Sequence, residues 1–201
     1  MEIRLGERVE QLTEKLTTDD VIATINALLG EDFYFEGLKI DGEVVQDDVE
    51  QVLHDRLSSI QTIEVLAVEA QQFVIGLLAS GEEYVKRASE HTPQLVKALK
   101  SENINAEAWA NVNDILGGIQ WILSMTEVVE QSIIDVNDWA DLVQAKEQFE
   151  AQLPTLQTAM EKEDSVAIAT TIEKFVIPYF ETVQRVTGQA FDEQFTRPTI
   201  Q

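Results

Sequence analysis

Two histidines, His54 and His91, are the first residues of this 201-residue chain to ask about chemistry, because an imidazole ligates metals and moves protons near neutral pH. His54 sits in VLHDRL beside Asp55, and His91 precedes Thr92-Pro93. Neither belongs to HExxH, ExxH or another ligand spacing, so both read as surface or helix-terminus residues. The acid pairs Asp47-Asp48 and Glu82-Glu83 are adjacent, which turns their carboxylates apart on a helix. Metals bridged by carboxylates need inward acids on facing helices together with ExxH, and that pattern is missing. Asp114 stands out because it lies in a strongly apolar helix, where an unpaired buried carboxylate is costly and titrates high. With no catalytic partner near it in sequence, its expected place is in solvent or on a cap. The chain has no cysteine, and it shows no Walker loop, GxGxxG or GxSxG elbow. The expectation is no catalytic residue, no metal ligand, no cofactor and no enzyme.

What the sequence offers instead is candidate surfaces. WANVNDILGGIQWILSMTEVV, residues 109–129, is apolar on nearly every side and so belongs at the centre of its domain. Gly117-Gly118 inside it costs about 1 kcal/mol per glycine relative to alanine, so something must offset that loss. Close approach of another helix would do so, and so would a notch that admits a ligand or an aromatic side chain from a partner. In IEKFVIPYFETV, residues 172–183, an apolar stripe runs from Ile168 through Ile172, Phe175, Tyr179 and Val183 to Val186. It reads first as core and second as an aromatic groove beside Pro178 for a partner helix. The candidate partner or ligand surface is therefore Gly117, Gly118, Trp121, Pro178, Tyr179 and Phe180.

These residues need elements to hold them. MEIRL and RVEQL alternate around a Gly6-Glu7 turn, which predicts a hairpin. Thr17, Thr18 and the acidic turn Asp19-Asp20 open a helix over 18–29, and Gly30 stops it. FYFEGLKI is a strand, Asp41-Gly42 a tight turn before Glu43-Val44-Val45, and a short acidic helix runs from Asp47 to Leu57. IQTIEVLAV closes this first part as a strand. From Val68 the period becomes helical: Ala70, Val74, Leu77, Gly81, Tyr84 and Ala88 form a stripe, and Thr92-Pro93 predicts a kink or a new helix start. Further helices are predicted over 105–131, 138–160 and 165–187, with a tail, FDEQFTRPTIQ, from Phe191.

HTPQLVKALKSENINAEAW, residues 91–109, has a faint echo in LPTLQTAMEKEDSVAIA, residues 153–169. Pro93 and Pro154, Leu95 and Leu156, and Ala98 and Ala159 are paired 61 apart. Past the turn the offset becomes 60, pairing Asn105 with Ser165, Val112 with Ile172 and Ile115 with Phe175. A duplicated helical hairpin and chance similarity between acidic amphipathic helices both account for it. The fold expected is α+β: a mixed sheet over 1–67, a bundle of about four helices over 68–190, and a tail over 191–201.

The first part resembles the β-grasp fold of ubiquitin-like proteins in its order of elements. That resemblance implies a mixed sheet with the helix of residues 18–29 on one face. Ubiquitin-like modifiers act through a free C-terminal Gly-Gly, whereas Gly117-Gly118 here lies inside a helical pattern, so conjugation is not expected. GIQW, residues 118–121, and IEKFVIPYFE, residues 172–181, are similar to an uncharacterised family of small Firmicute-type proteins. That likeness carries the architecture and no functional residue.

The net charge of −23 divides evenly, with acids and bases at 16:5 in residues 1–67 and 21:9 beyond. Counterion release needs clustered Lys and Arg, so nucleic acid and anionic membrane are not the expected partners. No stretch reaches the roughly 20 apolar residues of a membrane helix, and MEIRLGERVEQL is not a signal peptide. The expectation is a cytoplasmic, non-enzymatic interaction or scaffold protein with a protein partner, homo-oligomers being left open. The alternative is a helical domain that senses a small molecule in a pocket near Gly117, Gly118 and Trp121.

Overall fold

In the computed structural model, which describes residues 1–13, 16–101 and 104–198, the chain forms two compact units, Met1–Phe73 and Val74–Gln201. The first is a five-stranded mixed sheet with two helices. Strands β1 (Glu2–Leu5) and β2 (Arg8–Gln11) make the hairpin, and helix α1 (Thr18–Leu29) comes next. Strands β3 (Phe33–Ile40) and β4 (Glu43–Val45), helix α2 (Val49–Arg56) and strand β5 (Thr62–Glu69) complete it. The order across the sheet is β2-β1-β5-β3-β4, and β1 runs parallel to β5 while the other pairs are antiparallel.

Local chemistry accounts for these elements. The Thr17 hydroxyl accepts from the Asp20 N–H and the Asp20 carboxylate accepts from the Thr17 N–H, a reciprocal cap that starts α1. Asp41 and Gly42 both take positive φ, 47° and 94°, as the tight hairpin turn requires. The Asp41 carboxylate also accepts the Thr62 and Gln61 N–H groups, and these bonds, the one from Thr62 foremost, hold it below the usual carboxylate range. Val21, Ile25 and Leu28 of α1 pack with Ile3, Leu38, Ile40 and Ile63 of the sheet in a core of their own.

The expected bundle of about four helices is corrected, because six α-helices follow the sheet among the described residues. Helix α3 (Ala70–Leu99) runs on from β5 and passes through Pro93; the Thr92 hydroxyl donates to the Ala88 carbonyl one turn back. Helix α4 spans Ala106–Gln131. The helix predicted over 138–160 is two, α5 (Trp139–Glu150) and α6 (Leu153–Glu161), with Pro154 in the first turn of α6, where its missing N–H leaves no bond unmade. The helix predicted over 165–187 is α7 (Ser165–Thr171), a π-helical turn (Ile172–Val176) and α8 (Ile177–Glu193). Pro178 explains the break: it has no N–H to give, and its ring would press on the carbonyl four residues back unless the preceding turn widened. Helix α8 continues through Phe191, and Phe195 packs against the cluster around Val74, Val129 and Phe191. Arg197 pairs with Glu82 and lies 4.7 Å over the Phe191 ring.

The main core of the second unit takes side chains from all six helices, with Tyr179, Phe149 and Phe180 its largest fully buried residues. Lys146, nearly buried, is held by Glu127 at 3.5 Å and Glu130 at 3.8 Å. Among the described residues no helix is long and apolar enough to cross a membrane.

Candidate functional site

The helical unit has one face where polar side chains converge over apolar ones. A groove of about 740 Å³ runs between the second half of α3 and the first half of α4. Helical spacing brings Tyr84, Arg87, Ala88, His91, Leu95 and Ala98 of α3 to one side of it. From the α4 side come Asn105, Glu107, Ala108, Asn111, Asp114 and Ile115. Leu95, Ala108 and Ile115 are buried and form the floor, while Arg87, His91, Glu107, Asn111 and Asp114 are exposed and form the edges. The end nearest the α3–α4 connection is fixed by Asn105, whose side chain accepts the Ala108 N–H at 2.9 Å and caps α4.

Tyr84 closes the other end. Its ring lies against Gly118 so closely that a Cβ there would fall on the hydroxyl and come within 2.7 Å of Cε2. The notch expected at this glycine is therefore filled by an aromatic side chain of the same chain. Gly117 plays no such part, since a Cβ there would meet nothing within 4 Å. Trp121 stands edge-on to Tyr84 with centroids 6.2 Å apart and keeps 38% of its surface exposed. Phe180 meets the same ring edge-on at 6.0 Å. Burial, with the Asp114 charge second, pushes the Tyr84 hydroxyl above its ordinary value.

Of the six residues proposed as a surface, the structure gathers Gly118, Trp121 and Phe180 around Tyr84. Tyr179 and Phe180 are each 1% exposed, which corrects the reading of a surface groove there: they are core. Tyr179 stacks on Phe149 at 5.7 Å with rings nearly parallel, and its hydroxyl is 3.3 Å from that of Thr126. Burial pushes its pKa to about 12. Pro178 is exposed at the start of α8. The groove is lined on α4 as far as Ile115, one turn short of Gly118, and Gly117, Gly118 and Trp121 are not among its lining residues.

His91 and Asp114 both line the groove, but no hydrogen bond or ion pair joins them, so the groove offers shape and charge to a ligand without a prepared proton relay. Among the described residues no three His, Asp or Glu side chains gather as a metal-ligand set. In the sheet unit a second hollow, of about 650 Å³, is lined by Thr18 and Asp19 at the start of α1, Asp48 and Glu50 at the start of α2, and His54 in the last turn of α2.

Sequence reasoning missed the groove because its two sides lie some twenty residues apart and carry no shared motif. The one available signal was an aromatic residue, Tyr84, on an α3 stripe facing a Gly-Gly pair on the next helix. No curated protein and no solved structure matches the chain significantly. A family match covers residues 77–186, from within α3 to within α8, and leaves the sheet unit outside it. Over this helical part, the chain belongs to the family described as Domain of unknown function (DUF8042).

Proposed function

We propose that this chain is a cytoplasmic, non-enzymatic interaction protein whose helical unit docks a protein partner in the α3–α4 groove. The observation that carries the proposal is the groove itself: an apolar floor of Leu95, Ala108 and Ile115 between edges of exposed polar residues, running along two consecutive helices. Amphipathic segments are recognised by grooves of this kind. The sheet order β2-β1-β5-β3-β4 with α1 against one face supports a β-grasp reading of the first unit, which serves as a second platform or as a purely structural one. Its other face carries a row across all five strands, Val9, Arg4, Glu64, Lys39 and Val44, with Glu64 paired to both basic residues. The acidic surface supports neither nucleic acid nor anionic membrane as a partner.

The experiment is affinity capture from host lysate with the full chain and with Asn111→Trp, which fills the groove from an exposed position. The proposal expects a stoichiometric partner that the variant loses. A partner retained by Asn111→Trp and lost on reversing Arg4 and Lys39 to glutamate would move the docking site to the sheet.

A second reading keeps the groove and changes the occupant to a small molecule. Its support is the volume, about 740 Å³, which lies within the range of roughly 300–1,000 Å³ common for ligand pockets. Ligand-induced thermal stabilisation across a metabolite panel, lost in Asn111→Trp, would favour it over the protein partner.

A further inference from the structure

Resting on the reading of the α3–α4 groove as a docking site, we infer that its partner is a single amphipathic helix with one acidic and one basic flank. Three observations lead there. First, the groove lies between two helices whose backbone groups are already bonded within each helix, so it offers no ladder of donors and acceptors. An extended segment laid on Leu95, Ala108 and Ile115 would leave its own N–H and C=O groups unmet over an apolar floor, whereas a helix bonds its backbone internally. Second, the α3 side is lined from Tyr84 to Ala98, a rise of about 21 Å at 1.5 Å per residue, which matches a helix of about four turns. Third, the edges differ in sign. The charge of the α3 edge is that of Arg87, beside the polar ring of His91, and the charges of the α4 edge are those of Glu107 and Asp114. Among the described residues Arg87 pairs with Glu83, an exposed pair at 3.7 Å on its own helix, and such pairs are weak enough to exchange.

A helix seated in the groove therefore meets the Arg87 guanidinium on one flank, once Arg87 leaves Glu83, and the Glu107 and Asp114 carboxylates on the other. Acids toward α3 and bases toward α4 complete both edges. A helix with two basic flanks satisfies the α4 edge and is repelled by the α3 edge, and one with two acidic flanks does the reverse. Reversing the direction of the bound helix exchanges its flanks, so the requirement is opposite flanks, whichever way the chain runs.

The test uses the full-length protein and three labelled helical peptides of about 14 residues that share one leucine stripe. One has opposite flanks, one two basic flanks and one two acidic flanks, and dissociation constants are read by fluorescence anisotropy at 0.15 M salt. At that ionic strength charges beyond about 8 Å are screened, so the overall acidity of the protein does not decide the result. The expected result is that the opposite-flank peptide binds about five- to tenfold more tightly than either other peptide. Asn111→Trp abolishes that binding. Arg87→Glu with His91→Glu makes both edges acidic and moves the preference to the basic-flank peptide. If the three peptides bind equally and Asn111→Trp still abolishes binding, the groove remains a docking site and the inference about charge is overturned. If none binds, or binding ignores Asn111→Trp, both the inference and the docking reading fall.

Discussion

The second half of α3 with α4, and α6 with α7 and the π-helical turn after it, share a faint sequence echo and fold differently. Leu95 and Leu156 are both buried, as are Val112 and Ile172, and Asn105 caps α4 while Asp164, one residue before the Ser165 that pairs with Asn105, caps α7, each by accepting the N–H three residues on. The difference lies at the prolines. Pro93 sits inside α3, while Pro154 opens α6. Sixty residues on from Gly118, which lets Tyr84 close in, stands Pro178, just beyond a π-helical turn. A proline inside a helix costs about 3 kcal/mol, and burying a large aliphatic side chain returns about 1.5–3 kcal/mol. Around Pro93 the flanking turns bury Val85, Leu95, Val96 and Leu99 in one core, enough to offset that cost. Around Pro154 the flanking turns bury Phe149, Leu156 and Ala159 in the same core, and there the helix nevertheless breaks before the proline. The shared positions thus fix which face is inward, while burial is found on both sides of each proline and does not set whether the helix continues through it.

The largest expected effect comes from separating the two glycines. Gly118→Leu must expel the Tyr84 ring and is expected to cost about 2–3 kcal/mol, as overpacking does. Gly117→Ala meets open space and is expected to gain about 0.5–1 kcal/mol from helix propensity. Urea unfolding of the two variants checks this, and equal effects would refute the close approach of Tyr84 as the reason for Gly118. Next, Pro93→Ala restores an N–H to the middle of α3 and is expected to stabilise by about 1–2 kcal/mol, whereas Pro154→Ala stays within about 0.5 kcal/mol of the wild type. Asn105→Ala and Asp164→Ala should each cost about 1 kcal/mol by the same measurement, since the two caps are alike.

The smallest effect at neutral pH is at Tyr179. Its folded pKa of about 12 lies above the ordinary tyrosine value, so the folded state keeps its proton where the unfolded chain has lost it. That contribution is complete below pH 10 and disappears as pH rises toward 12. Tyr179→Phe should flatten stability across this window and change it by only about 0.5 kcal/mol at pH 7, where it removes a long hydrogen bond to Thr126. An unchanged alkaline arm would show that Tyr179 does not set it.

Much of the fold was legible where local chemistry decides it. Asp41-Gly42 announces its turn because few other pairs take two positive φ values, and Thr17 with Asp20 announces the start of α1. The break at Ala151-Gln152 was hidden because neither residue disfavours helix and the signal, Pro154, comes after it. The π-helical turn was hidden because Ile172–Val176 keeps its apolar phase through it. Gly118 could be flagged as a close approach, but not Tyr84 as the side chain that approaches. The groove was the least legible, because its openness depends on how far α3 stands from α4, which the rest of the core sets.

The most direct measurement uses the absence of cysteine from the chain, so that an introduced thiol is unique. Asn111→Cys places one in the groove, and Asn113→Cys places one at an exposed position about 200° around the same helix, away from it. Maleimide labelling rates are compared with and without the opposite-flank helical peptide. Docking in the groove predicts rapid labelling at both positions in the free protein, then protection of about tenfold or more at Asn111→Cys alone once the peptide is bound. Equal protection at both positions, or none at Asn111→Cys, would contradict it.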